Sequence, residues 1–425
     1  MTRRRLPALR PPKSRRLPET PLERESRPAE AHFAYGRPFW MAYTANWLLM
    51  VGVSLLFRYA DFVTLLGGAE FHLGWIVGVG MVGSLAMRLS MGSCIDRYGS
   101  RMVWLGSTLL FAATCLAHLA ITSHTGVAIY ALRILFCCAL AGIFGASMTF
   151  VSHQAPQRRM AELIGMLGTA GFLGSVVGTV LGDFLFGSAA VQRPQVDNMF
   201  VVAGLLGLLS LPFAWAATVR EKRPRLPAGP RLLHLLRRHH PGAVLAVGVA
   251  MGMGLGLPAT FLRTYAADLD IPRISLFFTV YAAAAILTRI LTRRWPERFG
   301  TRPLILLGMA GMVASLLLFL PVRAEWQLIV PAIGFGCSHA VLFPSVVAAG
   351  NRSFPAGNRG VATLLVLATW DVGQLIGSPA AGVMLKYSET AGLPPYPTMF
   401  LAMSGVLALV GGWYAAVGEP KGGGP

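Results

Sequence analysis

The sequence predicts an all-α membrane protein with about twelve membrane-spanning helices, and composition and apolar patterning both support this class. Hydrophobic residues make up 54% of the 425 residues, charged residues only 13%, and the mean hydropathy is +0.58. A soluble domain carries roughly 25% charged residues, so this chain is too poor in charge to cover a water-facing surface of its size. Apolar stretches long enough to cross about 30 Å of hydrocarbon recur along the chain and do not alternate as barrel strands would.

The apolar stretches form two sets of six on either side of a basic linker. The first set is predicted at 39–60, 71–91, 102–122, 126–150, 161–186 and 198–219. The second set is predicted at 242–265, 272–292, 303–321, 327–350, 360–386 and 397–418. We therefore expect two six-helix bundles, 39–219 and 242–418. A disordered basic tail at 1–38, a basic linker at 220–241 and a short tail at 419–425 complete the predicted organisation.

The net charge of +19 is concentrated in the predicted tails and loops. If the N-terminus lies inside the cell, the inner segments carry 28 Lys and Arg residues. The outer loops carry only Arg193, Arg273, Arg323 and Lys386. This asymmetry predicts that both termini are cytosolic. The expected partner is the lipid bilayer, of a bacterial-type inner (plasma) membrane, rather than nucleic acid.

The sequence gives no indication of enzyme chemistry. Five cysteines lie in or beside apolar segments, without the spacing of a metal site or a disulfide framework: Cys94, Cys115, Cys137, Cys138 and Cys337. No Walker loop, metalloprotease helix or nucleophile elbow is present. We expect neither an ATP-driven pump nor an enzyme, and no metal or organic cofactor.

The two predicted bundles repeat each other in sequence. Residues 88–101 align without gaps to residues 289–302 at an offset of 201, with four identical positions. Gly174 and Gly178 align to Gly373 and Gly377 at an offset of 199. Similar offsets at the second and fifth helix of each half indicate duplication of a six-helix unit.

The loop after the second span carries a motif with a copy in the second half. The motif residues are Gly92, Asp96, Arg97, Gly99 and Arg101, and the copy holds Glu297, Arg298, Gly300 and Arg302. This pattern resembles the loop motif of the major facilitator superfamily, from which it departs at Cys94 and Ser100. The resemblance covers residues 39 to 418. It implies two pseudo-symmetric six-helix bundles that transport a small organic solute by alternating access.

The motif also has a physical interpretation as a gate. Gly92 would let two helices approach closely, and Asp96 would face the positive N-terminal end of the eleventh helix near residues 358–360. Asp96 and Glu297 would then hold opposite closures of the gate. An ordinary charged turn is the alternative interpretation of the motif.

Glycines in the fifth span, at separations of nine, four and four residues, indicate close helix packing or an export signature. Gly165, Gly174, Gly178 and Gly182 are similar to the antiporter motif of the family. Thr179 stands where the motif has Pro, and Asp183 stands where it has Gly. The pattern favours export, with helix packing, also expected at Gly373 and Gly377, as the alternative.

Polar side chains near the middle of spans are candidates for a solute and proton pathway. Asp371 and Gln374 lie in the eleventh span, His339 in the tenth, and Arg133 in the fourth. A mid-membrane acid and histidine are suited to carry a proton. Structural hydrogen bonding for Asp371 and His339, and a side chain that reaches to the surface for Arg133, remain alternatives.

The resemblance implies that the first, fourth, seventh and tenth helices line the cavity. It thereby adds Asn46, Trp47, Ser54, Ser147, Thr260 and Phe335 to the predicted lining. The glycines and Pro258 of the seventh span predict a bent or interrupted helix.

Other charges lie nearer the span ends. Arg88 and Arg289 are expected to reach towards the cytosolic surface. Arg58 with Asp61, and Arg263 with Asp268, are expected either as outer gate pairs or as solvated rim charges.

The sequence thus predicts a monomeric secondary transporter that exports a small organic solute, with a proton as coupling ion. Asp371 is the expected proton carrier, assisted by Arg133 or His339. A metabolite importer or facilitator on the same fold, and a non-transporting membrane receptor, are the alternative functions.

Overall fold

Our computed structural model describes residues 35–155, 159–187, 191–219, 221, 242–354 and 359–417. Twelve long apolar helices make up most of this part of the chain. The first bundle contains α1 (Arg37–Leu65), α2 (70–98), α3 (100–117), α4 (Val127–Gln154), α5 (Met160–Phe186) and α6 (Arg193–Thr218). The second contains α7 (Ala243–Asp268), α8 (Ser275–Thr292), α9 (Thr301–Leu317), α10 (Ile329–Arg352), α11 (Arg359–Thr390) and α12 (Pro395–Val417). Every predicted span overlaps one of these helices, so the all-α class is confirmed. The predicted tails and linker lie almost entirely outside the described residues.

Gly99 and Gly300 interrupt the helices at equivalent places in the two halves. Their φ angles are +81° and +78°, a left-handed conformation that costs glycine little. Gly99 separates α2 from α3, and Gly300 separates the short helix Trp295–Phe299 from α9. Because successive helices alternate in direction, both turns lie at one end of the molecule, which we call the Gly99 end. The loops after α1 and α7 lie at the other end, the Asp61 end.

The outer surface suits a lipid environment. Large apolar side chains are exposed along the outside of the bundles, among them Phe184, Leu291 and Leu409. Exposed tryptophans occur near both ends of the helices: Trp40, Trp215 and Trp413 at the Gly99 end, and Trp75 and Trp326 at the Asp61 end. Such aromatic belts are typical of the two membrane interfaces. Inside hydrocarbon a helix satisfies its own backbone hydrogen bonds, which explains why the spans are helical throughout.

Equivalent glycines allow close helix packing within each bundle. A Cβ atom added to Gly178 on α5 would lie 2.3 Å from the carbonyl oxygen of Val51 on α1. A Cβ atom added to Gly373 on α11 would lie 2.2 Å from the carbonyl oxygen of Val249 on α7. Gly174 and Gly377 are similarly tight, at 2.7 and 3.0 Å. The packing of α5 on α1 and of α11 on α7 therefore requires glycine.

Three expectations about helix contacts and shape differ from the structure. A Cβ atom at Gly92 or Gly165 would meet no atom within 4 Å, so neither glycine mediates the predicted close approach in this conformation. At Gly182 the nearest atom is the Arg58 Cδ, at an ordinary 3.5 Å. Helix α7 runs without interruption through Pro258, whereas α1 contains the irregularity, a 3₁₀ turn at Leu56–Arg58.

The two bundles touch at the Asp61 end and separate towards the Gly99 end. Helix α2 meets α11 closely, since a Cβ atom at Gly74 would lie 2.4 Å from the carbonyl oxygen of Ser378. At Gly382 it would lie 2.8 Å from the carbonyl oxygen of Glu70. On the same α2 and on α5, Gly92 and Gly165 face open space nearer the Gly99 end. The structure is thus closed at the Asp61 end and open at the Gly99 end.

We predict that Gly178→Ala destabilises the protein and that Gly165→Ala, on the same helix, does not. The added methyl at position 178 must push α5 away from the α1 backbone, at a cost of about 1–3 kcal/mol for overpacking. At position 165 the methyl enters open space and gains helix propensity. Melting temperatures of the two purified variants in detergent test this expectation. Equal melting temperatures would contradict the packing role of Gly178.

Candidate functional site

A cavity of about 150 Å³ lies between the two bundles. It is lined by Val53, Leu56, Phe57, Tyr59 and Ala60 of α1, Leu73, Val77 and Met81 of α2, Arg133, Phe136, Cys137 and Leu140 of α4, Ala259 and Thr260 of α7, and Gln374 of α11. Most of these groups are apolar or aromatic, and the polar ones come from both halves. The cavity can therefore accommodate a small amphipathic organic molecule.

Arg133 points into this cavity and does not reach the surface. Its guanidinium carbon lies 4.5 Å from the centre of the Tyr59 ring and 4.9 Å from that of Phe136. Its Nε atom is buried and has no hydrogen-bond partner among the described residues. No described carboxylate forms an ion pair with it. Stacking on aromatic faces compensates part of the cost of burying this charge.

Asp371 forms an ion pair that connects the two bundles. Its carboxylate on α11 accepts a hydrogen bond of 2.5 Å from Arg88 Nε and one of 2.6 Å from Ser84 Oγ, both on α2. The aspartate is 3% exposed and the arginine side chain 14%. The prediction that Arg88 extends to the surface is therefore wrong. It bends back to Asp371 because a buried carboxylate without a partner would be far more costly.

His339 lies in an aromatic cluster at the junction of α5, α8, α10 and α11. Its Nδ1 atom forms a short hydrogen bond with the Tyr281 hydroxyl. The imidazole also contacts Phe172 and Trp370, with ring centres 5.7 and 5.8 Å away. Through Trp370 the cluster adjoins Asp371, the next residue of α11.

Four predicted lining residues have other environments. Ser147 Oγ donates to Asn46 Oδ1 at 3.1 Å, so these buried residues join α4 to α1 rather than face the cavity. Phe335 is 1% exposed and packs against Phe277 and Phe319 in the core of the second bundle. The carbonyl oxygen of Trp47 packs against Gly174, so Trp47 takes part in the contact of α1 with α5. Helical periodicity did not determine which side of each helix faces the cavity.

Four largely buried charges close the Asp61 end, and we call them the Asp61 cluster: Arg58, Asp61, Asp183 and Arg263. Arg58 donates to Asp61 at 3.0 Å and to Asp183 at 2.7 Å. Arg263 of the second bundle donates to Asp61 at 3.0 Å, so its partner is Asp61 and not the predicted Asp268. Asp61 is 7% exposed and Arg58 is 2% exposed, so these two are not solvated rim charges, whereas Asp268 is exposed.

Asp183 is the site residue that the sequence reasoning missed. Its carboxylate accepts hydrogen bonds from Arg58 and from the backbone N–H of Ser275, at 2.7 and 2.9 Å. It therefore ties α5 to the N-terminus of α8, where a carboxylate is electrostatically favoured. The signal was present, because position 183 is where the chain departs from the antiporter motif.

Four charged motif residues at the Gly99 end are exposed. Asp96, Arg97, Glu297 and Arg298 all lie on the surface. Asn358, expected opposite Asp96, lies outside the described residues, as do the side chains of residues 359 and 360.

Two arginines of the motif make contacts with their own bundle. The Arg101 guanidinium stacks on Trp215, and Arg302 donates to the carbonyl oxygen of Ala415 at 2.7 Å.

Among the described residues, no three His, Cys, Asp or Glu side chains lie close enough together to share a metal ion.

Comparisons with known proteins agree with this architecture. The family model described as "Major Facilitator Superfamily" matches residues 39–272 and 243–425. An uncharacterized MFS-type transporter of Salmonella typhimurium is 21% identical over 326 residues, which cover 75% of this chain and 81% of that protein.

Solved structures with the same fold include two transporters. The nucleoside transporter NupG superposes with a TM-score of 0.73 at 12% identity, over 89% of this chain and 98% of NupG. A D-xylose-proton symporter superposes with a TM-score of 0.72 at 15% identity, over 92% and 99% of the two chains. With the family model matching both halves, the chain belongs to the Major Facilitator Superfamily and is a membrane transporter rather than an enzyme.

Proposed function

We propose that this protein is a proton-coupled exporter that moves a small organic solute by alternating access. The observation that supports this best is the asymmetry between the ends. The Asp61 cluster joins the bundles at one end, while Gly92 and Gly165 face open space towards the other. A cavity between the bundles that is closed on one side is the arrangement expected of one state of such a cycle.

The Asp61 cluster is suited to act as a reversible closure. Its charges belong to both bundles, through Arg263 on one side and Arg58, Asp61 and Asp183 on the other. Buried ion pairs contribute little net stability, because desolvation offsets most of the attraction. They do favour one arrangement of partners strongly over others. Such a cluster can hold the closed end together and still separate when water re-enters it.

The Gly99 end is proposed to close in the opposite state. Gly92 and Gly165, open here, would then allow close contact of α2 and α5 with the second bundle. Asp96 and Glu297 would hold that closure. The excess of Lys and Arg in segments at this end favours a cytosolic location for it and for both termini. The structure then corresponds to an inward-facing state.

Proton coupling is assigned to Asp371. Protonation of its carboxylate would remove the charge attraction to Arg88 and so weaken a contact between the bundles. A change of protonation would thereby favour one state of the transport cycle over the other. His339 and Arg133 lie near enough to the pathway to assist, through Trp370 and the cavity respectively. The glycine-rich α5 favours export as the direction.

Asp371→Asn should lower proton-driven transport by about tenfold or more, since the coupling group can no longer bind and release a proton. The solute that accumulates in a strain lacking the gene would be followed in proteoliposomes with an imposed pH gradient. Arg88→Gln with Asp371→Asn controls for the unpaired arginine that the single variant leaves. Asp197→Asn, in a half-exposed pair with Arg193 on α6, is the matched control.

Wild-type proton-driven transport by the Asp371 variants would refute the coupling assignment. Transport by the unaltered protein that is indifferent to the gradient would instead indicate a facilitator.

Asp183→Asn should open the Asp61 end. Cys137 lines the cavity and is 3% exposed, so a variant that keeps only this cysteine reports on access. Removing one partner of a buried ion pair costs about 3–5 kcal/mol. We therefore expect an impermeant thiol reagent outside intact cells to label Cys137 at least about tenfold faster. An unchanged labelling rate, alongside an unchanged rate in the Asp197→Asn control, would exclude the Asp61 cluster as the closure.

A further inference from the structure

The internal repeat relates two contacts between the bundles that differ in charge. At the repeat offset of 201, Arg88 on α2 corresponds to Arg289 on α8. At the offset of 199, Asp371 on α11 corresponds to Phe172 on α5. The contact of α2 with α11 therefore has its symmetry mate in the contact of α5 with α8. The arginine is present in both, but the acid is present in only one.

The structure shows that both pairs of equivalent residues meet. Arg88 Nε lies 2.5 Å from the Asp371 carboxylate. The guanidinium carbon of Arg289 lies 5.4 Å from the centre of the Phe172 ring. The repeat has preserved the contact while an aromatic ring replaces the carboxylate. Arg289 is consequently not directed to the surface, contrary to the sequence-based expectation.

Arg289 has no counter-charge among the described residues. Its Nε atom is buried and lacks a hydrogen-bond partner, and it takes part in none of the described ion pairs. A buried guanidinium without an anion is costly in a low-dielectric interior. Arg88 avoids that cost through Asp371, whereas among the described residues Arg289 has the Phe172 ring and no anion.

The surroundings of Arg289 leave room for an anion. A ring stacked on the guanidinium occupies its face and leaves the N–H groups at its edge free to donate. On α5, Gly165 and Gly171 face open space, and the closest atom to a Cβ at Gly168 is Arg289 Nη1, at 3.5 Å. The guanidinium therefore borders a space on the side of the open Gly99 end.

We propose that Arg289 binds the carboxylate of an aromatic organic anion, which is the substrate class of this transporter. A planar carboxylate pairs with a guanidinium through two parallel hydrogen bonds. Phe172, Tyr281 and His339 pack on one another beside Arg289, and the outer edge of this aromatic cluster would contact the body of the solute. The proposal deepens the proposed function and rests on it, because it assigns a cargo to the alternating-access cycle.

The test uses the full-length protein in a neutral detergent and three probes. 2-Naphthoate is the aromatic carboxylate, 2-naphthamide is its uncharged analogue, and sodium chloride is the inorganic anion. Dissociation constants come from thermal stabilisation as a function of probe concentration. We expect 2-naphthoate to stabilise the protein and to bind at least about tenfold more tightly than 2-naphthamide, since charged hydrogen bonds are the stronger ones.

Two variants should remove this preference and one should keep it. Arg289→Gln removes the cation. Phe172→Asp rebuilds the ion pair that the other interface has, so an internal carboxylate occupies Arg289. Phe172→Leu removes the aromatic ring but leaves the cation free. We expect the first two to weaken 2-naphthoate binding about tenfold, and Phe172→Leu to retain most of it.

The outcomes separate this proposal from the proposed function. Equal binding of 2-naphthamide, an unchanged affinity in Arg289→Gln, or equal stabilisation by chloride would overturn the organic-anion assignment. Transport of an uncharged solute would persist in that case, so the proposed function would stand. Conversely, suppose that 2-naphthoate binds in an Arg289-dependent way but that no 2-naphthoate flux occurs in proteoliposomes. That result would support the anion site and refute the transport cycle.

Discussion

The cost of burying charge in a hydrocarbon-like interior is the constraint on which this architecture depends. Charged residues are rare in the chain, and most of the buried ones that the structure describes meet partners from other helices, with Arg133 and Arg289 as exceptions. Arg58, Asp61, Asp183 and Arg263 form one such group, and Arg88 with Asp371 forms another. Since such pairs add little net stability, their value lies in specifying which surfaces meet. Here the surfaces that they specify belong to opposite bundles.

The internal repeat explains the framework, and the departures from it mark the candidate functional groups. Gly174 and Gly178 pack α5 on α1 as their equivalents Gly373 and Gly377 pack α11 on α7, and Gly99 and Gly300 form equivalent turns. Asp371 and Phe172 occupy equivalent positions with different chemistry. Asp183 replaces a glycine of the family motif and ties α5 to α8. A duplicated scaffold needs such asymmetry if its two interfaces are to respond differently to a solute and a proton.

Sequence reasoning predicted much of the fold but only part of the site. Long apolar runs identified all twelve helices, because hydrocarbon permits few alternatives to a helix. Arg133 and Gln374 were expected in the pathway and do line the cavity. Asn46, Ser147 and Phe335 are buried in contacts within their bundles instead. Knowing which helices surround a cavity does not reveal how each helix is rotated about its axis.

The sequence by itself determined the membrane class, the two six-helix halves and the excess of positive charge at one end. These are properties of composition and spacing, and they do not depend on which helices touch. Only the tertiary structure decided the partners of the charges, such as Arg263 with Asp61 and Arg88 with Asp371. The partners are 202 and 283 residues apart in the chain. Their pairing follows from how the bundles dock, which no local pattern encodes.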